Sequence, residues 1–277
     1  MTTIEETAPA KINLVLQVGP RRADGLHELC SLFASLELAD VVAAAPAPAE
    51  PDEVISPGVE GPNLGEAAVA AYRETVASLP PLYVAIEKKI PVAAGLGGGS
   101  ADAAAVLRAA NRLTDEPLGA GELRAIGARL GSDVPSQVEP RHAIVTGAGE
   151  AVEPVDLPPL PVVLVPSEQG LSTAAVFAEA DRIGATRAKL DPGAIHAVVE
   201  SLAAGTRDMA LENDLAQAAL SLRPELEDTL QAVRDSGALA AQVTGSGPTV
   251  FGIYADRVAA YQAAELLPGA IVTALRS

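Results

Sequence analysis

Pro91-Val92-Ala93-Ala94-Gly95-Leu96-Gly97-Gly98-Gly99-Ser100-Ala101-Asp102 is the most informative stretch of this 277-residue chain. It stands between a short alternating segment, Leu82 to Ile86, and an Ala-rich segment, Ser100 to Leu113. Leu82, Val84 and Ile86 fall on one side of an extended chain, so a strand is expected there. Ser100 suits an N-cap, Asp102 the first turn, and Arg108 and Arg112 the later turns, so a helix is expected over 100–113. Between the two, four glycines in five positions allow positive φ and let a ligand approach the backbone closely. The amides that follow belong to a helix N-terminus, whose free N–H groups and dipole attract anions. The stretch is no Walker loop, because no Gly-Lys-Ser/Thr follows. It does not open the chain's first βαβ unit, which argues against a dinucleotide fingerprint. Glycines also make simple strand-to-helix turns, but four exceed what a turn needs. The expected role is a phosphate-binding loop.

That role has to be reconciled with the charge. The chain carries 19 basic and 36 acidic residues, a net charge of −17. Such a field repels nucleic acid, whose affinity rests on neutralised phosphates, so no nucleic-acid partner is expected. Any phosphate is held by a local device, and a glycine loop opening a helix is one. Only Lys11, Lys88, Lys89 and Lys189 are lysines. Scarce Lys among abundant Ala and Arg reads as compositional bias or a high-salt habitat, with a site role for each Lys as the alternative. Hydrophobic residues make up 49% and aromatics 3%, with no Trp. The length fits two lobes, and the core must be built from aliphatic side chains. Cys30 is alone in an apolar run, so no disulfide within the chain is possible and a buried structural thiol is expected. Met1 to Thr7 has two Glu and no basic residue, and no charge-free apolar run reaches membrane-spanning length. A soluble, cytoplasmic protein with no membrane partner is expected.

Outward from the loop, strands are expected over 12–18, 29–38 and 40–45, with a turn at 20–25 and an exposed loop over 45–52. A helix is expected over 63–78, where Leu64, Ala67, Ala68, Ala71, Tyr72 and Val76 share a face, and another over 121–130. A strand from Ala143 ends in the Gly147-Ala148-Gly149 turn. The Pro-rich Val155 to Pro161 is the expected boundary between domains 1–157 and 158–277. Beyond it, strands are expected over 162–165, 240–244, 250–254 and 269–275. Helices are expected over 173–183, 192–203, 211–220, 224–236 and 258–266.

The loop resembles the second motif of the GHMP kinases, the galactokinase, homoserine kinase, mevalonate kinase and phosphomevalonate kinase relatives. Other segments narrow the resemblance to the branch that phosphorylates a cytidine diphosphate-linked polyol on a route to isoprenoid precursors. These are Pro9-Ala10-Lys11-Ile12-Asn13-Leu14, Arg21 to Leu29 with Ala23-Asp24-Gly25-Leu26-His27, Gly131-Ser132-Asp133-Val134-Pro135, Leu171-Ser172-Thr173, Asn213-Asp214-Leu215 and Thr244-Gly245-Ser246-Gly247. They run in family order over most of the chain. The resemblance implies an α+β, two-lobed kinase. Its amino lobe is ribosomal-protein-S5-like with a left-handed βαβ crossover, its carboxyl lobe is ferredoxin-like, and the active site lies between them. It implies ATP with Mg²⁺, a small-molecule alcohol acceptor, and a monomer or weak homodimer.

Residue by residue, the resemblance makes Asp133 the base for the acceptor hydroxyl. Lys11 stands beside it and offsets charge on the transferring phosphoryl group. A bare N-cap or turn role is the alternative for Asp133. Pro91, Gly95, Leu96, Gly97, Gly98, Gly99, Ser100 and Ala101 would hold the ATP phosphates, with the Ser100 hydroxyl on Mg²⁺. Asn63 and Lys88 would lie near adenine. Asn13, on the face of Lys11, would bind the polyol. His27 would read the cytosine edge, Phe177 would line the cytidine pocket, and Leu26, Thr244, Gly245 and Ser246 would complete the acceptor site. His142 and His196 carry no motif and read as surface or turn residues. Two departures stand out. Leu26 replaces the usual Tyr, whose base stacking is worth about 1–3 kcal/mol. Ser136 to His142 replaces an apolar run ending in Gly-Gly, and its closeness to Asp133 leads us to expect a reshaped acceptor pocket. Two further readings stay open on sequence: a kinase for another small alcohol, and a catalytically lapsed nucleotide-binding relative.

Overall fold

A computed structural model describes residues 2–47, 51–59, 61, 63–167, 169–205 and 211–277. Its opening feature is one long antiparallel hairpin of β1 (Ile4–Arg21) and β2 (His27–Pro46). The strands expected at 29–38 and 40–45 are a single strand, and 12–18 is the middle of a longer one. The period-2 signal is weak because 8–19 are buried on both faces, which gives a continuous apolar run rather than alternation. Register shifts between Pro9 and Lys11 and between Asn13 and Val15 break the period further. Of the expected 45–52 loop, 45–46 belong to β2 and 48–50 lie outside the described residues.

Next come β3 (Glu53–Ile55), α1 (Leu64–Thr75), β4 (Leu82–Glu87), α2 (Gly98–Arg112), α3 (Ala120–Leu130), α4 (Val134–Gln137), β5 (Ala143–Gly147) and β6 (Ala151–Pro154). The second half holds β7 (Pro161–Val165), α5 (Thr173–Ile183), α6 (Pro192–Ala203), β8 (Glu212–Asn213), α7 (Ala216–Leu222), α8 (Glu225–Asp235), β9 (Ala240–Val243), β10 (Val250–Ile253), α9 (Arg257–Leu266) and β11 (Ile271–Ala274). The first sheet runs β3-β4-β2-β1-β8, with β5 on β2 and β6 on β5. The second runs β11-β7-β10-β9, antiparallel throughout, which is the ferredoxin-like order. The segment expected as one helix over 211–220 is instead β8 followed by α7. Its first residues add a parallel strand to β1, at Val15 and Leu16, before the helix begins.

Helix α2 is buried on nearly every side: of 101–110, only Arg108 escapes full burial. This explains its alanines, since small side chains let α1, α3 and the sheet approach closely. Cys30 is fully buried, and burial pushes its thiol above the usual range. Among the described residues, no helix is long and apolar enough to cross a membrane.

Candidate active site

Two cavities meet at the glycine loop. The larger, about 700 Å³, is lined among others by Lys11, Asn13, Leu26, His27, Asp133, Phe177, Gly245 and Ser246. The smaller, about 320 Å³, is lined by Asn63, Lys88, Pro91, Leu96, Gly98, Gly99 and Ser100. Gly95 and Gly97 line both. The glycine loop is therefore a shared wall. Thr244 and Ala101 line neither cavity: both are fully buried, and the Ala101 N–H already donates to Gly97 O.

Gly97 is the N-cap of α2, at φ 71. This corrects the expectation for Ser100, which sits inside the first turn. The N–H groups of the first helical residues, 98–100, consequently have no intrahelical acceptor. A β-carbon at Gly97 would lie 3.1 Å from Lys11 Cγ and 3.2 Å from Cε. Any side chain here would crowd the lysine stem, which would have to give by a few tenths of an ångström. A β-carbon at Gly95 would collide with Gly247 O, so the glycine loop and the Gly245–Gly247 turn touch backbone to backbone.

The Lys11 side of the larger cavity is built on β1. The Lys11 N–H donates to Leu96 O at 3.0 Å, which pins the strand to the loop. Lys11 Nζ donates to Asn13 Oδ1 at 2.8 Å, lies 3.3 Å from Asp133 Oδ2, and stands 4.5 Å over the Phe33 ring. Asn13 Nδ2 donates to Ser31 Oγ, and the Asn13 N–H donates to Thr244 Oγ1. Thr244 thus acts on the site through Asn13. Asp133 occupies the N-cap position of α4, yet its side chain caps nothing. The carboxylate is left to Lys11 and the cavity. Residues 134–142 do not line the larger cavity. Residues 134–138 and His142 turn inward instead, Ser136 and Gln137 being buried and an Arg108 guanidinium donating to Gln137 O, while Glu139 and Arg141 face solvent. The altered segment abuts Asp133 in sequence, but its residues do not line the pocket.

Also lining the larger cavity, the His27 and Phe177 rings stand 5.2 Å apart at 30°. His27 Nδ1 faces Gly19 O at 3.0 Å and Nε2 faces an Asp181 carboxylate oxygen at 3.3 Å, so both ring nitrogens are engaged within the protein. Leu26 is half exposed at the rim. Asn63 caps α1, accepting from the Gly65 N–H. Lys88 is buried between Asp40 and Asp102. Burial works against its charge, but the hydrogen bonds it donates to these two carboxylates outweigh it and raise its pKa. Burial pushes Asp102 up to about 7, with Lys88 pulling the other way. Asp40 also accepts from the Lys89 and Ile90 N–H groups, which anchors the entry to the loop. His142 is buried, not at the surface: it accepts from the Ser35 N–H, and its Nε2 faces Arg276 O at 2.8 Å.

Sequence reasoning missed Arg21, Ser132 and Asp181, all of which line the larger cavity. A signal existed for Asp181, four residues after Phe177 on the same helix face. Among the described residues, no cluster of three or more His, Cys, Asp or Glu could hold a metal. A Mg²⁺ that takes most of its ligands from phosphates and water, with one hydroxyl from Ser100, fits this donor set.

The GHMP kinases N terminal domain matches residues 63–139, and the GHMP kinases C terminal domain matches 194–269. A 4-diphosphocytidyl-2-C-methyl-D-erythritol kinase of Kineococcus radiotolerans is 42% identical, over 90% of this chain and 81% of its own. The protein of that name from Streptomyces coelicolor is 40% identical, over 94% and 90%. A crystal structure of 4-(cytidine 5'-diphospho)-2C-methyl-D-erythritol kinase superposes with a TM-score of 0.85 at 34% identity, over 99% of this chain and 100% of its own. Homoserine kinase from Cytophaga hutchinsonii shares the fold, with a TM-score of 0.74 at 16% identity. The chain belongs to the GHMP kinases, among the 4-diphosphocytidyl-2-C-methyl-D-erythritol kinases.

Proposed function

We infer that this protein transfers the terminal phosphoryl group of ATP to a hydroxyl of 4-diphosphocytidyl-2-C-methyl-D-erythritol, in the methylerythritol phosphate route to isoprenoid precursors. The observation that carries the reading is the Lys11–Asp133 pair, 3.3 Å apart, standing where the two cavities share Gly95 and Gly97. Nucleotide phosphates in the smaller cavity rest on the amides of 98–100. The acceptor fills the larger one, its polyol toward Asn13 and its nucleoside toward Phe177. The Asp133 carboxylate takes the proton of the attacking hydroxyl. The Lys11 ammonium offsets charge on the group in transfer, and the amides stay fixed while charge moves. Mg²⁺ held by Ser100 and phosphate oxygens would neutralise the triphosphate.

The test is ADP release from purified protein with Mg²⁺-ATP and this acceptor. Asp133→Ala should lower turnover by about 10²–10⁴, the usual size of a general-base contribution, with ATP binding retained. Wild-type protein that releases no ADP in response to the acceptor overturns the assignment.

A further inference from the structure

The sequence places two arginines side by side at the end of β1, and the structure separates their roles. Arg22 takes the local carboxylates: Asp24 at 3.0 Å, Glu150 at 3.1 Å and Glu28 at 3.6 Å. Arg21 takes none. Its Nε donates to Gly25 O at 3.0 Å, and a terminal nitrogen lies over Gly25, 3.9 Å from where a β-carbon would stand. The side chain is exposed and lines the larger cavity beside Leu26 and His27. Two cations line that cavity, and Lys11 is already committed to Asp133 and Asn13. Among the described residues, Arg21 is thus the cavity's one cation without a carboxylate partner. The other charges on this wall, Asp133 and Asp181, repel an anion, as does the net charge of −17.

An acceptor carrying a diphosphate between nucleoside and polyol needs a local counter-charge in a cavity also lined by the carboxylates of Asp133 and Asp181. We propose that Arg21 binds the diphosphate of the acceptor, an assignment that rests on the functional reading above. The Nε tether fixes the plane of the guanidinium and leaves its two terminal NH₂ groups free, the fork that matches phosphate oxygens. Charge favours the diphosphate over the base as its target, since a base supplies a π-face but no negative charge. Lys11 and Arg21 then divide the labour: one serves the phosphoryl group in transfer, the other the phosphates that stay.

The experiment measures binding of CDP and of cytidine by calorimetry, and acceptor kinetics with Mg²⁺-ATP, for wild type, Arg21→Ala and Arg21→Lys. Arg21 is exposed and its removal costs one hydrogen bond within the protein, so the variants should fold, as melting temperature will check. Arg21→Ala should weaken CDP about ten- to a hundredfold, the range of a charge-assisted hydrogen bond, and leave cytidine unchanged. The KM for acceptor should rise by a similar factor, with kcat and the KM for ATP near wild type and the salt dependence of acceptor binding reduced. Arg21→Lys should recover part of the CDP affinity. An equal loss for CDP and cytidine places Arg21 on the base and overturns the proposal, as does no loss for either. Wild-type protein inactive toward the acceptor sinks the functional reading and this assignment together. Active wild type with unchanged CDP affinity in Arg21→Ala sinks the assignment alone.

Discussion

Gly97 shows how one missing side chain positions another. Its φ of 71 is the left-handed conformation, and the Lys11 stem passes 3.1 Å from where a β-carbon would stand. Gly97→Ala should cost about 1–2 kcal/mol of stability, the price of that conformation for an L-residue, measured by denaturant unfolding. It should also push Lys11 off Asp133, lowering kcat by at least about tenfold if the ammonium supplies an electrostatic contribution of ordinary size. Unchanged kcat in a folded Gly97→Ala protein would separate the lysine's position from the reaction. At this scale the sequence was readable where a residue stands inside a motif, as Lys11, Asn13 and Asp133 do. It was unreadable where partners decide. Nothing in Arg21-Arg22 says which arginine meets carboxylates, and His142 gave no sign of being wedged between two backbone groups from distant parts of the chain.

Elements with strong end signals were legible to the residue. Helices α5 and α6 begin where Ser172 and Asp191 cap the Ala175 and Ala194 amides, and α5 stops at Gly184 in the left-handed conformation. The β8–α7 segment was misread because two residues of strand leave no period, and their pairing with β1 is a tertiary fact. Helix α2 was placed correctly but started two residues too late, since a glycine cap supplies no side-chain signal. Its buried base is the Asp40–Lys88–Asp102 group, in which Asp102 is only 5% exposed. Lys88→Met should strand two buried carboxylates and cost about 3–5 kcal/mol, as removing one partner of a buried pair does. Chemical denaturation measures the loss. Adding Asp102→Asn should recover part of it, because only one carboxylate then remains stranded; simple additivity of the two losses would contradict this coupling.

Across the whole molecule, His142 ties Ser35 in the first sheet to Arg276 beyond β11, the last strand of the second. Its Nδ1 accepts from an N–H, so it has no room for a second proton, and burial lowers its pKa below the ordinary 6.5. The unfolded chain then binds more protons than the folded one below about 6.5. The stability from this residue is full above that value and is lost as pH falls from it toward the lower pKa of the folded state. Melting temperature should therefore fall on acidification less steeply in His142→Gln, which can still hydrogen-bond but does not titrate; equal slopes would refute the role. The shared wall of Gly95 and Gly97 has a consequence for the order in which ligands arrive. A wall that faces two guests cannot be stiffened by one without being altered for the other. Whatever factor an ATP analogue imposes on CDP dissociation, CDP must impose on the analogue, by thermodynamic necessity. A factor different from one is the expected calorimetric result, and its sign tells whether either guest prepares the room for its neighbour or crowds it.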